Sequence, residues 1–424
     1  MEYYIIIAAS IIIILSYLFN WISKETNFPS VLLLIALGIG MQQLISMTSI
    51  SYDRIMKTFS EIRVLELLGT LGLIMIVLEA ALDLKIERKK LPLILKSLLI
   101  AFLGLISCTF ITGYLIMVAT DKMSYTEALI YATPLSILSS AIVIPSVANL
   151  PESQKEFHVY ESTFSDILGI MLFYFLINLA SSTNHALAVG DFTVGLIITI
   201  FVSGSLSFLL LYVFQKLEAK VKIFLMISVL ILLFGLGKLL HLSSLIIILI
   251  FGIILSNHRV FFVGKLHNLI DRETTDKIYD SFHMITMESA FVIRTFFFVI
   301  FGFTVALASI INFKVAVISA AILISIYLIR LLILKIVMHR DIKLATFIAP
   351  RGLITLLLYY SIPLEFKSIH FNEGVLLFII IISSLVMTYG LIKMKHTDEA
   401  DMIEESAIEN DQTESEQSSD DPLL

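Results

Sequence analysis

Apolar runs of membrane-spanning length recur from the N-terminus to residue 395, with only short polar connections between them. A helix needs about 20 such residues, range about 17–25, to cross a hydrocarbon core. Thirteen runs are candidates, at roughly 3–22, 29–50, 64–84, 93–119, 127–150, 160–180, 192–214, 223–240, 242–256, 288–309, 312–337, 343–362 and 372–394. The thinnest division lies between the eighth and ninth, where Gly237, Lys238 and His241 barely interrupt the run. Only 15% of residues are charged and 58% are hydrophobic, against about 25% charged in a soluble domain. The pattern predicts an all-α polytopic membrane protein. The first run is longer than a signal-peptide core and lacks a basic front and a small-residue cleavage site, so it reads as a span. Cys108 is the only cysteine, which excludes intrachain disulfides and cysteine-based metal sites.

Charge gives the orientation. Loops after odd-numbered spans hold eighteen Lys and Arg, against seven in the other loops (Arg54, Lys57, Arg63, Lys122, Lys238, Lys314 and Lys367). Positive residues collect on the cytoplasmic side, so the N-terminus is expected outside and the C-terminus in the cytoplasm, in the cell (inner) membrane. Residues 257–287 form the longest loop; charged and apolar residues at helical spacing predict a cytoplasmic surface helix leading into the tenth span. The net charge of −6 comes from the tail. Residues 396–424 carry eleven of the 35 carboxylates and no Lys or Arg, which leaves the body at +5. Residues 1–395 read as a transmembrane domain and 396–424 as an acidic, disordered, solvated cytoplasmic tail.

Two spans are interrupted by proline, the fifth at Pro134 and again at Pro145, the twelfth at Pro350-Arg351-Gly352. Proline removes a backbone donor and clashes with the preceding turn. Interruptions seven spans apart suggest the halves of an inverted repeat, and such discontinuous helices are the best sequence pointer to a transporter's midplane site. Between the two prolines of the fifth span lie Ser136, Ser139 and Ser140.

The sixth span opens ESTFSDILG. Glu161, Ser162, Ser165, Asp166 and Gly169 share one helical face, and Phe164, Ile167, Leu168, Met171 and Leu172 cover the rest. A carboxylate in hydrocarbon costs about 2.5–3.5 kcal/mol on insertion scales, so one kept there has a function. One carboxylate, hydroxyls and loose carbonyls make a hard-oxygen site suited to Na⁺, Li⁺ or K⁺. A carboxylate held away from water also takes up a proton more readily. One group able to hold either ion is the chemistry of exchange. Other buried charges need partners: Glu161 is expected to pair with Arg330, Arg351 sits at the second break, and Arg294, near a span start, is expected to reach an interface. Glu66, Asp83, Lys96, Glu127 and Glu288 lie near span ends and read as interfacial.

Over residues 1–395 the sequence resembles the monovalent cation–proton antiporter superfamily, the sodium–proton exchangers. FPSVLLLIALGIGM is similar to that family's second helix, LEAALDL to its Phe-Glu-Gly-Gly-Leu segment, and ESTFSD to its Glu-Ser-x-x-Asn-Asp motif. FFFVIFG and APRGLITLLL match its later aromatic-Gly and Arg-Gly segments. The resemblance implies Asp166 as the aspartate that binds cation and proton, with Ser162, Thr133, Ser165 and Glu79 as further site residues. It implies Glu161 with Arg330 as the structural ion pair and Arg351 at the crossing of the fifth and twelfth helices. It also implies a six-helix core beside a dimerisation domain, hence a homodimer. Two positions depart from the electroneutral branch: Ser165 replaces its Asn, and Thr133-Pro134 lacks its intervening Asp. A single site aspartate implies one proton per cation.

The expected function is secondary antiport of a monovalent cation, Na⁺ first, against protons, with no cofactor, no nucleic acid and no enzymic reaction. The alternative is a transport-weak sensor or channel on the same fold. An intramembrane aspartyl protease needs two facing carboxylates, and Asp166 is the only mid-membrane aspartate. Nothing resembles a nucleotide-binding domain.

Overall fold

In a computed structural model of the protein the described residues are 2–26, 28–47, 64–120, 123–182, 185–216, 222–239, 244–262, 271–304, 312–338, 342–368 and 370–393. In hydrocarbon every backbone polar group must be satisfied internally, so apolar runs become helices. They are α1 (Glu2–Thr26), α2 (Ser30–Ser46), α3 (Val64–Asp83), α4 (Leu91–Thr120), α5 (Tyr125–Ser136), α6 (Ser140–Ser146), α7 (Glu152–Ser181), α8 (His185–Lys216), α9 (Lys222–Leu239), α10 (Ser244–Ser256), α11 (His258–Phe261), α12 (Arg272–Thr304), α13 (Phe313–Val337), α14 (Ile342–Phe347) and α15 (Leu353–Tyr360). The last is α16 (Gly374–Lys393). Each of the thirteen expected spans coincides with one helix or with a broken pair, α5/α6 and α14/α15. Eight are long and apolar enough to cross a membrane by length and composition. Outward-facing Ile6, Ile7, Ile14, Phe201 and Ile336 are more than half exposed, which suits contact with lipid rather than water. The protein is a multi-pass integral membrane protein.

The helices form two groups. α4 packs along α5, α7 and α13, while α12 packs along α2 and α3, and α10 along α3 and α8. The groups meet where α3 touches α15 and α7.

Two expectations change. The surface helix and the tenth span are continuous: α12 starts at Arg272 and its 33 residues reach about 50 Å, well beyond the hydrocarbon. The fifth span does not unwind at Pro134. Helix α5 runs through it to Ser136, and the chain turns extended at Ile137, with ψ 133°. Hydroxyls of Thr133 and Ser136 donate to the carbonyls of Leu129 and Ala132, which supports a turn that proline has weakened. Glu127 lies at a span end, as expected, and completes a capping box with Ser124 at the start of α5. The charges of Arg54, Lys57, Arg63, Lys122, Lys220, Lys265, Arg340 and Lys395 and the tail 396–424 lie outside the described residues.

Candidate functional site

The site forms where α7 meets the two breaks. The extended stretches 137–139 and 348–352 cross, and the Ser139 amide donates to the Pro350 carbonyl at 3.0 Å. Crossing this close requires a small residue. A Cβ on Gly352 would lie 2.6 Å from Ser139 Oγ and 2.7 Å from Ile142 Cδ1. Arg351, 4% exposed, donates from Nε to the Leu135 carbonyl at 2.7 Å and from Nη1 to Ala349 O at 3.0 Å. Its guanidinium therefore satisfies a carbonyl that the end of α5 leaves free, and places positive charge at the negative end of that half-helix. Its amide is held by Ser383 Oγ at 2.9 Å.

Helix α7 presents its polar face to this crossing. Ser165 Oγ accepts from the Leu138 amide at 2.9 Å, and Asp166 Oδ2 accepts from the Ser140 amide at 3.3 Å. Two adjacent side chains thus hold amides on either side of the break. Gly169 lets the helix come close, since a Cβ there would meet Ile137 Cγ1 at 2.3 Å. Asp166 is 2% exposed, and its Oδ1 is buried with no hydrogen-bond partner among the described residues. A buried acceptor left unpaired is costly, and a proton or a cation could satisfy it.

The Ser162 hydroxyl donates to His158 O at 2.8 Å and that of Thr133 to Leu129 O at 2.8 Å. Both spend their proton inside their own helix, which leaves oxygen lone pairs for a cation. The structure brings Glu161 and Arg330 together in a two-pronged pair, Nη1 to Oε1 at 2.7 Å and Nη2 to Oε2 at 2.9 Å. Arg330 Nε also donates to Ala345 O at 2.7 Å, beside the second break. Glu161 is 1% exposed, and His158 Nδ1 stands 3.5 Å from its Oε2.

Glu79 lies elsewhere. It lines a cavity of about 640 Å³ bounded by α1, α2, α3, α6 and α12, together with Asp83, Ser140, Glu288 and Arg294. Arg294 does not reach for an interface; its Nη2 is 3.6 Å from Glu79 Oε1. The reason is the early start of α12, which puts Arg294 well inside that helix. Asp83 and Glu288, expected at span ends, also face this cavity. Asp83 is 2.7 Å from His283 Nε2, and Glu288 accepts from Tyr17 Oη at 2.7 Å.

Ser140 was not singled out by the sequence as a site residue. It touches Asp166 through its amide and also lines the large cavity, so it is the link between that cavity and the buried carboxylate. The available signal was its position between Pro134 and Pro145; its role is carried by a backbone N–H, which every non-proline residue has. No group of three His, Cys, Asp or Glu able to hold a metal ion occurs among the described residues. The donors at the crossing are hard oxygens, suited to a monovalent cation as cargo.

A buried carboxylate set against the amides of a broken helix, in a helical body with an apolar exterior, defines a membrane transporter of the crossed, discontinuous-helix class. The chain belongs to the sodium/hydrogen exchanger family, matching its transmembrane region over residues 8–394. Among solved structures it is similar to the sodium proton antiporter MjNhaP1 from Methanocaldococcus jannaschii at pH 8. That likeness has 18% identity and a TM-score of 0.68, and covers 92% of this chain and 96% of that one. An electron-microscopy map of the same antiporter gives 17% identity and a TM-score of 0.64, with 92% and 95% covered. No curated protein matches. Family and fold support cation/proton antiport, transport rather than enzymic catalysis.

Proposed function

We propose that the protein exchanges one monovalent cation, Na⁺ before K⁺ or Li⁺, for one proton, with Asp166 holding the two ions in turn. The observation that carries this is the Asp166 carboxylate: one oxygen is bound by the Ser140 amide, the other is buried without a partner among the described residues, and Ser140 opens on the large cavity. A cation arriving there would exchange water for Asp166 oxygens and the lone pairs of Ser162, with Thr133 and Ser165 on the same crossing. Glu79, in the cavity wall, would draw cations toward it. Either ion neutralises Asp166. The bare carboxylate carries the penalty of charge in hydrocarbon, so only the loaded forms change access, and that couples the two fluxes.

Glu161 with Arg330, and Arg351 at the crossing, serve as scaffold. Residues 1–395 form the exchange domain, and the acidic tail 396–424 lies beyond it. The Lys and Arg bias supports an outside N-terminus and a cytoplasmic C-terminus in the cell membrane, and the large cavity then faces the cytoplasm. The resemblance supports a homodimer.

The test uses proteoliposomes with a pH-sensitive dye inside and an imposed pH gradient. Na⁺, Li⁺ and K⁺ are added in turn, with Asp166→Asn in parallel. Cation-specific collapse of the gradient, lost in the variant while the protein stays folded, is expected. The absent carboxylate between Thr133 and Pro134 favours the second reading, a transport-weak sensor or channel. No response to any cation from about pH 5 to 9 would favour the sensor, and cation flux without proton movement the channel.

A further inference from the structure

Helix α3 lines two separate cavities. Ile76, Glu79, Ala80 and Asp83 border the one that reaches Ser140. Gly69 and Thr70 border a second, of about 350 Å³, together with Tyr174 of α7 and Leu357 of α15. At 1.5 Å per residue, Thr70 and Ile76 are only about 9 Å apart along the helix axis. The barrier between them is apolar. A Cβ added to Gly72 would meet Leu357 Cδ1 and Ile293 Cγ2 at 3.5 Å each, ordinary contact, and Leu73 and Ile74 are buried beside it. Tyr174 is two turns beyond Asp166 on α7, so the second cavity approaches the site from the other end of α3, with Leu357 at its border.

Their charges differ in sign. The first cavity holds Glu79, Asp83 and Glu288 against Lys24 and Arg294. The second is lined by Lys238 and Lys367 and, among the described residues, by no carboxylate. Both lysines are exposed. Neither makes a salt bridge among the described residues; Lys238 Nζ instead lies 5.2 Å from the centre of the Phe234 ring. A cleft lined by one sign of charge depletes ions of that sign and slows their arrival.

We propose that Lys238 and Lys367 make this second vestibule an electrostatic filter, so that the transported cation binds more weakly from that face than from the other. The proposal rests on the exchange reading and deepens it: the two faces of the exchanger differ in apparent affinity because their vestibules differ in charge. Neither lysine contacts the ion. Each acts through the field, so the effect must fade as salt screens it, over a Debye length of about 8 Å at 0.15 M.

Right-side-out and inverted membrane vesicles from cells producing the full chain give access to one face each. Cation is titrated on the outside of both at low ionic strength, for the wild type, for Lys238→Gln/Lys367→Gln and for Lys367→Glu alone. In right-side-out vesicles the double variant is expected to lower the apparent KM about two- to fivefold with maximal rate little changed, and Lys367→Glu to shift it the same way. Inert organic cation at about 0.15 M should shrink the difference. Inverted vesicles should show no change. An unaltered KM in right-side-out vesicles, an equal change on both faces, or a change that persists in salt would overturn the filter while leaving exchange intact. Absence of exchange in the wild type would instead overturn the exchange reading, and the filter with it.

Discussion

A guanidinium that donates to Glu161 through two nitrogens and to Ala345 O through the third has nowhere else to go inside the bundle. Removing one partner of a buried pair typically costs about 3–5 kcal/mol, because the other charge is left uncompensated. Glu161→Ala should therefore lower the yield of folded, monodisperse protein and its melting temperature in detergent. Glu161→Met combined with Arg330→Leu should restore much of both, since apolar replacement of a whole pair is often neutral. Full yield of Glu161→Ala together with lost transport would sink the scaffold role. Ser162 differs, because its hydroxyl donates within its own helix to His158 O and keeps its oxygen lone pairs free to accept a cation. Ser162→Ala is expected to raise the apparent KM for cation several-fold, more than it lowers the maximal rate, as loss of one ligand does. These carboxylates and Arg330 could be read from the sequence because charge in hydrocarbon is conspicuous. Ser140 could not, since its amide does the binding, and Glu79 could be placed near Arg294 only once α12 was known to begin at Arg272.

The breaks act as elements. Proline announced both, yet neither unwinding begins at a proline: α5 continues past Pro134, and α14 ends at Phe347, before Pro350. The sequence shows where a backbone donor is missing. It does not show which neighbouring helix takes over the freed groups, and that decides where the helix stops. Here the takeover is tertiary, by Arg351 on Leu135 O and by Ser165 on the Leu138 amide. The register of α7 against the break depends on Gly169, where an added methyl would meet Ile137, a fully buried side chain, at 2.3 Å. Overpacking of this kind costs about 1–3 kcal/mol. Gly169→Ala should lower the melting temperature and, by pushing residues 137–140 away from Asp166, raise the KM for cation. Calorimetry and dye-based transport on one preparation would check both. A variant with wild-type KM would mean that the position of the break does not set the geometry of the site.

At the scale of the whole molecule, the two helix groups close on each other at Leu357 and stand apart where Ser140, Ile144 and Pro145 line the large cavity. The two cavities approach that closure from opposite ends of α3, and thiol chemistry can read which of them reaches the site. Cys108 is buried, and Cys108→Ser provides a background without cysteine. In that background Ile144→Cys should react with a membrane-impermeant maleimide from one face alone, the cytoplasmic one under the proposed orientation. Thr70→Cys should react from the opposite face, and Leu357→Cys, fully buried in the seal, from neither. The sequence located the membrane but not this asymmetry, because helices of similar apolarity pack with or without a gap depending on small residues such as Gly72. If the crevice opens alternately, imposing a cation gradient that draws the site outward should protect Ile144→Cys and expose Leu357→Cys to reagent from the far side. The two rates should move in opposite directions with the same dependence on cation, and Asp166→Asn should abolish that dependence. Labelling of Leu357→Cys from the same face as Ile144→Cys would place the barrier elsewhere, and would remove the ground for treating the two cavities as ends of one path.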